Sequence, residues 1–404
     1  MAKKKTSKQA DPSVIDLSEL AEDAGLVLLR DSDYATIFDR LPTFFPQLDR
    51  YLGGGLPFGR MVEIAGANAA GKSTLAFHVA RVATLLGCIV VLIDVEGTAD
   101  KDRLAQLGID TTKILVKQPD EKKEVALMVE SVGKTIEQTI ELFKKKYPNT
   151  PIVYIWDSLG QTPSEVEMDK DFGDKNVGAR AAAISQLIYK VGPLITSTKS
   201  LFIAINQVRA DIGGNPMFAQ AKMPGGKAWE HYASLRIEVQ KGAAIKKGEE
   251  KIGHNLKIKI NKSKVSRPHT MAQLDLISDE GIPYERNITR LAEEAGILGG
   301  TSQSYEYVDN NGEIHKKRKD LFVEFLQKEG AHIREELLNK LIQIEFPEGY
   351  TALTNENLRL DGWIDRVYPP VATAPISTAK GDAGLDDDAD AMIQEIQDDI
   401  DSAE

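Results

Sequence analysis

The chain has 404 residues, 42% of them hydrophobic, with a formal net charge of -11, which is enough to bury one substantial core and carry smaller appendages. Its longest strongly apolar run, Cys88 to Ile93, is far short of the roughly 18 residues of a membrane span, and the Lys-rich start Met1 to Lys8 leads into no apolar signal segment. The single cysteine, Cys88, excludes an internal disulfide and a cysteine-based metal site and fits a reducing, cytoplasmic compartment.

Residues 1–10 are basic and polar, and the spacing of Val14, Ile15, Leu17, Leu20, Ala21 and Ala24 then predicts a short amphipathic helix with Ser13 near its N-cap. Two packings fit it: against its own core, or as an arm on a neighbouring subunit. From Pro42 onward, apolar runs alternate with helical patterns: MVEIAG, Leu75 to Leu86, CIVVLID, Glu121 to Lys145, PIVYIWD, Ala181 to Ile195 and SLFIAIN. Strands alternating with crossover helices predict an α/β fold whose mainly parallel sheet is covered on both faces. Strands at Leu235 to Gln240, Leu256 to Asn261 and Ala272 to Ile277, ending at Asp279-Glu280-Gly281, read as hairpins on the sheet edge. Asn287 to Gly296, Lys319 to Glu329 and Ile333 to Ile344 read as helices around a hairpin that turns at Asn310-Asn311-Gly312, a small α/β appendage. Beyond Pro369 the apolar content is too low for a core, and ten acidic residues with no basic one lie between Asp382 and Glu404. Without that acidic tail the chain is nearly neutral. The expected division is 1–40, a basic N-terminus and oligomerisation helix; 41–286, the main core; 287–368, a small C-terminal domain; and 369–404, a disordered tail.

Gly66-Ala67-Asn68-Ala69-Ala70-Gly71-Lys72-Ser73 fits the phosphate-loop pattern GxxxxGK[ST] between a strand and the helix opening at Thr74. Glycines let backbone N–H groups curl around phosphate oxygens, the helix N-terminus adds positive potential, Lys72 supplies a point charge, and Ser73 can ligate Mg²⁺. The second Mg²⁺ anchor is expected at Asp157, which ends the apolar strand before it. Strand Ile89 to Ile93 runs into Asp94-Val95-Glu96, so period 2 puts Asp94 and Glu96 on one face at the phosphate edge. Glu96 is then placed to orient or deprotonate the attacking water, and Asp94 to hold a magnesium-bound water or a backbone turn.

These elements alone indicate an ATPase with ATP and Mg²⁺ as cofactors. The runs GGGLPFGRMVEIAGANAAGKSTL, IDVEGTAD and LGIDTTKILVKQPD, followed by WDSLGQTPSEVE, GDKNVGARAAAISQ, FIAINQVRADIG and PGGKAWEHYASLRIE, carry a further likeness. From about Leu41 to Gly296 the chain resembles the RecA recombinases. The resemblance implies a RecA-type ATPase core with an N-terminal helical arm and a small C-terminal domain. It also implies assembly as a helical homo-oligomeric filament on single-stranded DNA, pairing with homologous double-stranded DNA, strand exchange, and single-strand-binding or mediator proteins as partners, with no membrane role.

On that resemblance a first DNA-binding loop falls at about Met168 to Val177 and a second at about Val208 to Gly226, while Gln207 contacts the γ-phosphate. The composition of the second loop allows this independently: Gly213-Gly214 and Gly225-Gly226 permit close backbone approach, Arg209, Lys222 and Lys227 can meet phosphates, and Met217 or Phe218 can wedge between bases. The segment NKSKVSRP resembles the one whose two lysines reach the neighbouring subunit's ATP, which places that role on Lys262 and Lys264. Arg180 is a further DNA-contact candidate, although the family's arginine matches Ala182. Two departures concern the nucleotide: Arg103 stands where the family carries an aromatic on adenine, and Asn68 replaces a phosphate-loop glutamate. A guanidinium can also stack on a base. After Gly296 the likeness weakens, as it would in a phage or plasmid relative as readily as in a cellular one. An accessory ATPase that binds a recombinase without exchanging strands, and a ring helicase of the same core, are the competing readings.

Overall fold

The structure, a computed structural model, describes residues 17–119, 126–169, 178–208 and 226–350, together with Leu358. The chain divides into one unit up to Thr36 and another from Ile37 onward. In the first, helix α1 covers Leu17–Asp23 and its Leu17 and Leu20 are exposed. The expected cap, Ser13, and the apolar positions Val14 and Ile15 lie outside the described residues.

The second unit opens with a small antiparallel pair, β1 (Arg40–Leu41) and β2 (Leu56–Pro57), around helix α2 (Pro46–Leu52). Pro46 starts α2 with its φ preset, and Gly53, left-handed at φ 79°, ends it. The main elements follow in alternation: β3 (Arg60–Gly66), α3 (Lys72–Leu85), β4 (Ile89–Asp94), α4 (Lys101–Gln106), β5 (Ile114–Lys117), α5 (Val129–Lys146), β6 (Ile152–Asp157), the single turn α6 (Glu165–Met168), α7 (Ala179–Ser197), β7 (Leu201–Gln207) and α8 (Gly226–Tyr232). Three antiparallel strands come next, β8 (Leu235–Lys247), β9 (Glu250–Ser263) and β10 (Thr270–Ile277), then α9 (Tyr284–Glu294). The C-terminal sheet of β11 (Gly299–Gly300), β12 (Ser304–Val308) and β13 (Ile314–Arg318) is followed by α10 (Lys319–Lys328) and α11 (Ala331–Glu345).

The eight-stranded sheet runs β10-β9-β8-β3-β7-β6-β4-β5, parallel from β8 through β5 and antiparallel at the β8–β9–β10 edge. This is the expected α/β architecture, with apolar layers on both faces. On one face α5, α7 and α8 bring Ile136, Leu187 and Trp229 onto Met61, Val91 and Phe202. On the other, α3 brings Val79 and Ala83 onto Val62, Leu92 and Ile203. That second layer is continuous with Ile258, Leu274, Tyr305, Phe322 and Leu337, so the elements from α9 onward are built onto the main core.

Two elements depart from the sequence reading. Helix α5 begins at Val129, eight residues later than expected, with Met128 extended just before it and Val129 donating to the carbonyl of Pro163; residues 120–125 lie outside the described set. The β8–β9 hairpin runs seven residues past Gln240 to a turn at Gly248, φ 65°. Apolar alternation stops at Gln240, but backbone pairing needs no apolar side chain. The polar stretch continues the ladder through register shifts at Lys241/Ala244 and Ile245/Lys246.

Candidate phosphate site and the polar chain behind it

Strand β3 ends at Gly66 and α3 starts at Lys72, so Ala67 to Gly71 form the connecting loop. Gly66 has to be glycine: a Cβ there would lie 2.3 Å from the carbonyl oxygen of Val239. Gly71 is left-handed at φ 100°, and Ala69 adopts φ 54°, which curls successive backbone amides into one concavity.

The loop opens on a cavity of about 220 Å³ lined by Asn68, Ala69, Gly71, Lys72, Ser73 and Thr74 from the loop and α3, and by Glu96, Thr98, Asp157, Ser158, Ile205 and Gln207 from the strand ends facing it. Lys72, Ser73, Glu96, Asp157 and Gln207 are thus together, as the sequence reading expected. Lys72 donates to the Ala67 carbonyl at 2.8 Å, and Ser73 Oγ donates to Asp157 Oδ2 at 2.8 Å. Burial pulls the Lys72 ammonium below its ordinary value, against the attraction of Asp157 and Glu96. Burial pushes the Asp157 carboxyl up to about 6, opposed by the Ser73 hydroxyl and Lys72 and reinforced by Glu96 and Asp94. A buried carboxylate beside other acids is a cation-seeking group, so the Ser73–Asp157 pair fits a divalent ion and the amide-lined loop with Lys72 fits phosphate.

Glu96 is exposed and held from behind: Ser158 Oγ donates to Glu96 Oε1 at 2.8 Å, and Ser158 is buried. Ser158 went unread in the sequence because a serine after a strand-end aspartate carries no pattern of its own. Asp94 is used differently from its neighbour. Its carboxylate accepts from the amides of Thr98 and Ala99 and from Gln118 Nε2, at 3.2, 2.9 and 2.9 Å. Of the two tasks expected for Asp94, holding a backbone turn is the one its geometry serves, and it does not line the cavity.

Arg103 also stands off the phosphate cavity. On α4 it donates to Gln106 Oε1 at 2.6 Å and to the Ser278 carbonyl after β10. A second cavity, about 310 Å³, begins at Thr74 and is walled by Phe77, His78, Arg81, Leu107 and Tyr284.

A chain of polar groups, buried at its centre in Asn206 and Glu63, leaves the cavity through β7. The backbone N–H of Gln207 donates to Asn206 Oδ1 at 2.9 Å, and Asn206 Nδ2 donates to Glu63 Oε1 at 2.8 Å. Glu63, fully buried in β3, accepts Arg236 Nε at 2.6 Å on its other oxygen, and Arg236 Nη1 reaches Glu230 on α8 at 2.8 Å. Lys262 donates to the carbonyls of Glu230 and His231 at 2.6 and 2.9 Å, and Lys264 to that of His231 at 2.9 Å. Cations thus close the C-terminus of α8, where the helix dipole favours them. The sequence reading missed Glu63, Asn206, Arg236 and Glu230; the one available signal was a charge inside the apolar run MVEIAG.

Of the expected DNA contacts, Arg209, Met217, Phe218, Lys222 and Gly225 lie outside the described residues. Gly226 and Lys227 open α8, both exposed. Arg180, second residue of α7, points elsewhere: it donates to Glu167 Oε2 at 3.1 Å and to the Gly160 carbonyl at 2.8 Å. Its place two residues before the family's position directs it onto α6, where Ser164 and Glu167 form a capping box.

Residues 22–283 match the model of the RecA N-terminal domain. The chain belongs to the RecA family. It is 32% identical over 339 residues to Protein RecA of Clostridium acetobutylicum, covering 83% of this chain and 90% of that protein. It is 31% identical over 342 residues to Protein RecA of Citrifermentans bemidjiense, covering 83% and 96%, and 33% identical over 277 residues to Protein RecA of Petrotoga mobilis, covering 68% and 71%. Family membership assigns it a RecA-type role in DNA recombination and repair with binding of ATP and DNA. Among the described residues no helix is long and apolar enough to cross a membrane.

Proposed function

We propose that this chain is a DNA-stimulated ATPase that assembles as a filament on single-stranded DNA, pairs it with a homologous duplex and promotes strand exchange. The observation that carries the reading is the continuity from the phosphate cavity, through Gln207, Asn206, Glu63 and Arg236, to helix α8, which directly follows the segment read as the second DNA-binding loop.

ATP is the substrate. Loop amides and Lys72 bind its phosphates, and the base lies toward Arg103, whose guanidinium plane can stack on it. Mg²⁺, held by Ser73 and Asp157, supplies neutralisation of the phosphate charge. Glu96, oriented by Ser158, takes the proton of a water that attacks the γ-phosphorus, and the bond to ADP breaks. Gln207 senses the γ-phosphate, and Lys262 and Lys264 of one subunit reach the next subunit's nucleotide, so that hydrolysis requires assembly. The exposed Leu17 and Leu20 of α1 suit an arm that packs on a neighbouring subunit. Arg209, Lys222 and Lys227 meet DNA phosphates and Met217 or Phe218 part the bases.

The test measures ATP turnover with and without single-stranded DNA, and strand invasion with ATP and Mg²⁺. Stimulation together with a joint product is the expected result; absence of both refutes the reading. The accessory-ATPase alternative draws on Arg180, which is engaged by Glu167 and Gly160. Strand exchange by the protein alone excludes it.

A further inference from the structure

We propose that Asp309, His315 and His332 form a binding site for a Zn²⁺-class transition-metal ion in the C-terminal elements, separate from the phosphate cavity. Their ligating atoms all lie within 4.8 Å of one another. Asp309 closes the turn between β12 and β13, His315 is the second residue of β13, and His332 is the second residue of α11.

Two of the three side chains, Asp309 and His315, are already oriented. The Asp309 carboxylate is buried, and its Oδ1 is taken by the amides of Asn311 and Glu313 at 2.9 and 2.8 Å. That leaves Oδ2 facing His315 Nε2 at 3.2 Å. Backbone donors fixing one oxygen of a carboxylate while the other stays available are the outer support that metal-ligating carboxylates use. The His315 ring is stacked on Phe325, centroids 5.7 Å apart, and meets His332 edge-on at 6.2 Å.

A tetrahedral ion with bonds of about 2.0–2.1 Å holds its ligand atoms about 3.3–3.4 Å apart. Asp309 and His315, 3.2 Å apart, stand close to that separation already, and exposed His332 has only to swing in. A plain ion pair needs only two partners, Asp309 and His315. A third ligand type converging from a separate helix is what an ion adds. Two imidazoles with one carboxylate suit Zn²⁺ and leave a fourth position for water, whereas Mg²⁺ and Ca²⁺ prefer all-oxygen sets. Lys317 lies over Phe325 at 4.9 Å, and the start of α11 is the positive end of its dipole. The ion is therefore held by ligand bonds rather than by the local field, and it ties the hairpin to α11.

The experiment titrates the full-length protein, stripped of metal by a chelator, with Co²⁺ in excess Mg²⁺ and follows visible absorption. The expected result is a tetrahedral Co²⁺ band saturating at one equivalent and bleached by Zn²⁺. His332→Ala, which removes an exposed side chain, weakens binding by more than the roughly 10- to 100-fold that loss of an outer partner costs. In the wild-type protein, but not in His332→Ala, Zn²⁺ raises the thermal midpoint. No saturable band, or an unchanged band in His332→Ala, overturns the proposal. So does a band lost in Asp157→Asn but kept in His332→Ala, because the ion then belongs to the phosphate site.

Discussion

Asn206 and Glu63 join neighbouring parallel strands through a 2.8 Å hydrogen bond in a place where no water reaches: both side chains are fully buried, and Glu63 also carries Arg236. A buried ion pair is weak evidence for stability, since an apolar replacement of the same volume often does as well, but loss of one partner alone costs about 3–5 kcal/mol. Glu63→Gln offers one acceptor where the carboxylate offers two, so a donor meets a donor at Asn206 or at Arg236. The variant should melt at lower temperature, bind ATP within a few-fold of wild type, and lose about tenfold or more of its DNA-stimulated turnover. Comparing basal with stimulated hydrolysis decides the matter: an equal loss in both would mean a structural role only.

Glu96 and Ser158 separate chemistry from positioning. Glu96→Gln should retain ATP and lower hydrolysis by roughly 10²- to 10⁴-fold, the range of a general base. Ser158→Ala removes only the 2.8 Å bond that holds Glu96, so kcat should fall less and KM should stay. A larger effect on KM than on kcat would place Ser158 in nucleotide binding instead.

The main sheet was legible in the sequence because its strands are nearly pure apolar runs, such as IVVLID and IVYIWD, both buried throughout. Lys72, Ser73, Glu96 and Asp157 were legible because each sits at a strand end or helix start that phosphate binding requires. Glu63 was not, because period and hydropathy register one acidic residue in a buried strand as noise, and its partners Asn206 and Arg236, with Glu230 beyond Arg236, come from three other elements. The far half of the β8–β9 hairpin was missed for a related reason: its ladder is made by the backbone, and its side chains carry no alternation. Arg180 shows the limit of register, since a shift of two residues along α7 turns a side chain from one neighbour to another.

Lys262 and Lys264 should act across a subunit boundary. Replacing both with Ala should lower turnover by about 10³-fold or more while leaving ATP binding intact. Mixing this variant with Glu96→Gln protomers regenerates some interfaces, about a quarter in an equal random mixture, that pair an intact Glu96 with an intact lysine pair. Recovered ATP hydrolysis in the mixture is the expected result. No recovery, with assembly verified by electron microscopy, would assign the lysines to the end of α8 in their own subunit, where their carbonyl bonds already place them.

His78 should make stability acid-sensitive. It is buried beside Phe45, ring centroids 5.2 Å apart, with Nε2 3.1 Å from the Thr43 carbonyl, so the neutral ring donates there. Burial holds its pKa down to about 4 from 6.5, with Arg81 adding to the shift and the Thr43 bond opposing it. Above 6.5 the imidazole is neutral in both folded and unfolded chains, and the full stability is present. Between 6.5 and 4 the unfolded chain takes up the proton and the folded one does not, so stability falls by about 1.4 kcal/mol per pH unit, on the order of 3 kcal/mol in all. Below 4 this contribution levels off. Urea unfolding between pH 7 and 4 reads the slope, and His78→Gln, which keeps a donor for Thr43 without titrating, should be shallower by that amount. An equal slope in the variant would trace the acid sensitivity to other groups.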